Sequence, residues 1–133
     1  MANDRSVKEC SPEMLAGRLA KAKSYLKAAG LIALSNGDLE LHDAFITNCV
    51  YAGIAASDVI CCSKLGRHSS GPNHKSAVAL LRSVDSVSAN HLDTLLNLKS
   101  GAGYSHVLSD EVERHRAEKA AAEIVKAAIG ILR

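Results

Sequence analysis

Residues 66 to 74 read GRHSSGPNH and place six residues between Arg67 and His74, in a stretch rich in Gly, Ser and Pro. A second pair, Lys99 and His106, has the same six-residue gap inside KSGAGYSHVLS, residues 99 to 109. A cation near a histidine suits metal-free cleavage of a phosphodiester. The histidine moves the proton near neutral pH, and the cation steadies charge on the phosphorane. A third group must orient the pair, and Asp58 is the candidate carboxylate. It lies within the apolar run AGIAASDVICC, residues 52 to 62, where an unpartnered buried charge would be costly. Its expected partners are Arg67, His74, Lys99 and Tyr104. Each residue also has an ordinary role: His74 can open a helix, Lys99 and His106 can belong to a glycine-flanked loop, and Asp58 can sit in a structural ion pair.

The elements that must hold these residues are helical. Ser11 followed by Pro12 supplies a cap and a first-turn proline, and Leu15, Leu19, Ala22, Leu26 and Ala29 recur at steps of three and four. This predicts a helix over about 12–34, closed by SNGD, residues 35 to 38, whose aspartate caps the next helix. A second helix over roughly 39–65 is apolar nearly all round, with Thr47, Asn48, Tyr51 and Asp58 on one stripe, as befits the central helix of a bundle. Gly66 is placed to end it in the left-handed conformation. A third helix is expected over about 73–84, then a shorter segment capped by Ser88, with Gly101 and Gly103 breaking the pattern. The last helix, about 110–131, buries Ala117, Ala120, Ala121, Ile124, Ala128 and Ile131. No run alternates as a strand does. The expected fold is all-α, an antiparallel four- or five-helix bundle over residues 11–133, preceded by a flexible arm over 1–10.

Composition narrows the chemistry further. The 133 residues are 47% hydrophobic with one Phe, three Tyr and no Trp, so packing depends on small and branched side chains. A formal charge of +2 does not argue for nucleic acid, but Arg18, Lys21, Lys23 and Lys27 are the only charges between Glu13 and Asp38. Cys10, Cys49, Cys61 and Cys62 fit no disulfide-framework spacing, and no signal-peptide pattern opens the chain, so a reducing cytoplasm is the expected compartment. The apolar stretch over 44–62 is interrupted by polar residues and makes a poor membrane span. Cys61, Cys62, His68 and His74 lack the spacing of a zinc site, and no glycine-rich phosphate loop is present, so neither metal nor cofactor is expected.

Three stretches carry a resemblance: AGIAASDVICC over 52–62, LGRHSSGPNHKSAVALL over 65–81, and LLNLKSGAGYSHV over 95–107. In these, and in helix lengths over about 12–131, the chain resembles short bacterial single-domain members of the HEPN family, named for higher eukaryote and prokaryote nucleotide binding. The resemblance implies an all-helical, often dimeric domain with roles in RNA cleavage, toxin–antitoxin pairs and phage defence. In catalytically active members an Arg, four to six residues and a His stand near the start of the last long helix. Arg67 and His74 match that spacing but lie before the third helix. Lys99 and His106 match it in place, with Lys where the family has Arg. A planar guanidinium grips two phosphate oxygens at once, whereas an ammonium is a point charge. Tyr104, between them, looks like a bundle-closing hydrogen-bond anchor of such proteins.

Three functions are open to such a chain. The first is an RNA-directed module that either cuts without metal or binds without cutting, with Arg18, Lys21 and Lys27 as contacts to the nucleic acid. The second is a dimeric bundle that binds a protein partner, as an antitoxin or regulatory subunit does. The third is a nucleotide pocket between the second and last helices, lined by Tyr51, Asp58 and Tyr104.

Overall fold

A computed structural model describes residues 7–34, 38–71 and 73–132. Among the described residues five helices make one bundle: α1 (Pro12–Ala33), α2 (His42–Leu65), α3 (His74–Arg82), α4 (Ser86–Tyr104) and α5 (Glu111–Ile131). The all-α bundle expected from the periodicities is the observed architecture. Its caps are those that local chemistry dictates. Ser11 accepts the Met14 N–H at 3.1 Å, and Gly66 ends α2 at φ 71°. Asp110 and Glu113 cap each other's backbone at the start of α5. Asp38 caps a single 3-10 turn, Leu39–Leu41, that leads into α2; the rest of the SNGD turn, residues 35–37, lies outside the described residues.

α2 is the centre. It packs against α1, α4 and α5, and from Phe45 to Cys62 its buried positions run almost without interruption. With the turn before it, α2 is long and apolar enough to cross a membrane, but 72% of that window is buried inside the bundle. α5 packs against it, burying Ile124 and the small side chains of Ala117, Ala120, Ala121 and Ala128 that let helices approach closely. Gly53 serves the same end against α4, because a Cβ there would run into Leu95.

Four local expectations need correction. Two short strands exist: β1 (Val7–Glu9) pairs antiparallel with β2 (Arg67–Ser69), so that Lys8 faces His68 and Glu9 faces Arg67. Three residues are too few to show an alternation in sequence. α4 starts two residues before Ser88 and is capped by Asp85, which accepts the Ser88 N–H at 3.0 Å and its hydroxyl at 2.6 Å. α4 also continues through Gly101 and Gly103 to Tyr104, since the helix cost of a glycine is only about 1 kcal/mol and the turns before them are anchored by buried Leu95, Leu96 and Leu98. Finally, Cys10 and Cys62 form a disulfide across a Cα separation of 5.6 Å. Their 52-residue separation hid it: only the fold brings the chain before α1 beside the last turn of α2.

Candidate functional site

Asp58 sits three quarters of the way along α2, on the stripe between α1 and the β2–α3 connection. Its carboxylate accepts the Arg18 Nε–H at 2.8 Å through Oδ2, and its Oδ1 lies 3.7 Å from His68 Nδ1. The sequence expected its partner among Arg67, His74, Lys99 and Tyr104. The structure supplies Arg18, 40 residues away on α1, and His68 instead. His68 Nδ1 is 2.8 Å from the carbonyl oxygen of Ser69, which can only accept, so Nδ1 carries a proton that also faces Asp58. His68 is buried, and its Nε2 has no hydrogen-bond partner.

Burial pushes the Asp58 carboxyl above the usual aspartate range, and the nearby charges of Arg18 and His68 and the Arg18 hydrogen bond only partly offset this. The cluster is therefore an ion pair held against a desolvation cost, an arrangement that recurs at functional sites. A cleft of about 110 Å³ opens beside it. Its polar wall is made by Ser57, Asp58, Ser69, Asn73, His74 and Lys99, and its floor by Ile54, Leu92 and Leu96.

Of the residues singled out in sequence, three line this cleft: Asp58, His74 and Lys99. The two pairs are thereby split. His74 stands at the first position of α3 with Nε2 3.8 Å from Asp93 Oδ1, while Arg67 is exposed in the ladder opposite Glu9. Lys99 lies on α4, while His106 is exposed in the connection after it. Tyr104 is 84% exposed at the end of α4, so it does not close the bundle. It joins Tyr51, Thr47 and Lys99 around a second hollow, adjacent to the cleft along α2. The Tyr51 and Tyr104 hollow thus lies between α2 and α4, where the sequence placed a pocket between α2 and α5. Asp58 belongs to the neighbouring cleft.

On α1, Arg18 is turned onto Asp58, whereas Lys21 and Lys27 are exposed. Lys27 points about 180° around the helix from Arg18, so the three do not form one basic face. His68 is the member that spacing could not find; its only signal was its place just past the helix-ending Gly66, where the chain turns back over α2. Among the described residues no three His, Cys, Asp or Glu side chains converge as metal ligands. Cys49 and Cys61 are free, buried thiols, pushed by burial to about 12 and about 11. Compared with protein-family models, curated proteins and solved structures, the chain matches none.

Proposed function

We propose that this protein is a HEPN-like RNA-binding module that engages a short single-stranded segment along the groove between α2 and α4 without cutting it. The observation that carries the reading is the position of Lys99, which borders both hollows of that groove. On one side stand two exposed tyrosines, Tyr51 and Tyr104, suited to stacking on bases; on the other stand Asp58, Asn73 and His74, suited to hydrogen-bonding a base edge or ribose. A cation between stacking groups and polar groups is the composition of a single-strand track. Both cation and histidine pairs that the sequence offered for cutting are split between the groove and the outer surface, and His74, which shares the cleft with Lys99, has its Nε2 3.8 Å from Asp93 Oδ1.

The test is binding of a labelled single-stranded RNA, followed by anisotropy at several salt concentrations in chelator. Tyr104→Ala should weaken binding by about five- to a hundredfold, the worth of one stacked base. Lys99→Ala should lower the salt slope by about 0.7. Binding untouched by both variants would overturn the reading, and cleavage abolished by His74→Ala would overturn its non-catalytic part.

A second reading, a protein partner, is favoured by the end of the bundle away from Asp58. There Leu31, Leu34, Leu39, Leu108 and Val112 are all about half exposed or more. Binding through that end would be insensitive to salt and to Lys99→Ala.

A further inference from the structure

We propose that the Cys10–Cys62 disulfide is a redox latch on the Asp58 cleft: a dithiol reductant cuts it, β1 leaves β2, and β2 carries His68 away from Asp58. The latch itself does not depend on the proposed RNA-binding function; its consequence for RNA does.

Among the described residues three connections hold β1 in place: the three-residue ladder with β2, the Cys10 N–H to the Gly66 carbonyl at 3.0 Å, and the disulfide. A two-stranded ladder of this length is marginal in water by itself, so the covalent bond is the member that makes the others persist. β2 in turn supplies what the cleft needs. Ser69 forms part of its wall, and His68 lies against Asp58.

Two buried groups are better served by the open state. His68 Nε2 has no partner where it sits, and the Asp58 carboxylate is held against desolvation. Both would gain water if β2 lifted. The closed arrangement therefore stores a cost that the disulfide holds in place, and cutting the bond releases it locally without touching the contacts of α2 with α4 and α5.

The chemistry balances with a dithiol as the only co-reactant. Its thiolate attacks Sγ of Cys10, the more exposed residue of the two; the S–S bond breaks and Cys62 leaves as a thiolate that takes up a proton. The reductant's second thiol, deprotonated, attacks the mixed disulfide and expels Cys10, which is protonated in turn. The dithiol ends as a disulfide and the protein gains two thiols. The neighbouring Cys61 is buried and its thiol stays protonated, so it does not compete with Cys62 when the bond re-forms.

The experiment is amide hydrogen exchange on the full chain, oxidised and after reduction with a dithiol, with Cys10→Ser measured alongside. Reduction should lower protection at residues 7–10 and 67–69 by about tenfold or more while amides of α2, α4 and α5 keep theirs. His68 should become modifiable by diethylpyrocarbonate, and reoxidation should reverse both changes. Unchanged protection at 67–69, or loss of protection through the whole bundle, would overturn the latch and leave the bond a structural staple. RNA binding measured in the same two states separates the questions. Local opening with no RNA binding in either state sinks the RNA reading and leaves the latch standing.

Discussion

The two ends of α2 carry nearly the same side chains and use them in opposite ways. Near the C-terminal end, Asp58 meets Arg18 and His68; at the N-terminal end, His42 meets Ser109 and Glu111, and Asp43 meets Ser109. In the second cluster His42, 3% exposed, is within 3.0 Å of the Ser109 carbonyl through Nδ1, and Asp43 accepts the Ser109 N–H at 3.2 Å. Both backbone groups of one buried serine are held by the first turn of α2, which fixes the entry to α5. The glutamates there are on the surface: Glu111 and Glu118 grip Arg114 at 2.7 and 2.9 Å, and Arg114 lies 5.7 Å from the centre of the Phe45 ring. The Arg114 hydrogen bond and charge hold the Glu111 carboxyl below its usual range, whereas burial holds Asp58 above its own. In this clasp the glutamates stay in water, while Arg114 and the His42 ring are largely buried. At the other end the carboxylate itself is buried.

That contrast can be broken most forcefully at His42. His42→Ala removes a buried ring and leaves the Ser109 carbonyl unpaired, and should cost about 3 kcal/mol in urea unfolding. A cost under about 1 kcal/mol would deny the clasp. Arg18→Met comes next. Because Arg18 is about a quarter exposed and water can partly replace it, the loss should be about 2 kcal/mol at pH 7, shrinking toward pH 4 as the stranded Asp58 takes up a proton. A loss that does not vary with pH would mean that Asp58 is not the group left stranded.

Asp58→Asn should change stability by less than about 1 kcal/mol at neutral pH, because it removes the charge whose burial is unfavourable. The sign with pH is definite. A folded-state pKa raised above the ordinary value of 3.8 gives stability that is present below that value and lost as pH climbs through the folded pKa. Relative to wild type, Asp58→Asn therefore becomes more favourable as pH rises out of the acid range. Glu111→Gln sharpens the comparison with the smallest effect and the opposite sign. A depressed pKa gives stability present above the ordinary 4.5 and lost on acidification, so this variant should look worse at pH 7 than at pH 3. Parallel pH profiles for the two variants would erase the distinction between the ends.

How far these features were legible in sequence depends on the distance over which they act. Ser11, Gly66 and Asp110 declare helix ends within three or four residues, and the structure places those ends where the local chemistry puts them. Asp58 was legible as a cost, because a carboxylate among AGIAAS and VICC must find a partner. The partner was not, since Arg18 comes from another helix and looked like one of a row of solvated cations. Lys99 and His74 emerge in one cleft although spacing had paired each with a different residue, because helices α3 and α4 set their positions and the intervening gap does not. The Cys10–Cys62 bond and the two strands depend wholly on the turn at Gly66 and the return of the chain before α1.

The burial of α2 also bears on the birth of the chain. This helix leaves the ribosome before α3, α4 and α5, and α5, which supplies its last wall, emerges roughly 3–13 s later at ordinary synthesis rates. Until then the face of α2 that α5 covers stands bare, in a segment long and apolar enough to be taken for a spanning helix by machinery that sorts nascent chains on hydropathy. The alanine face of α5 is thus the last to cover it.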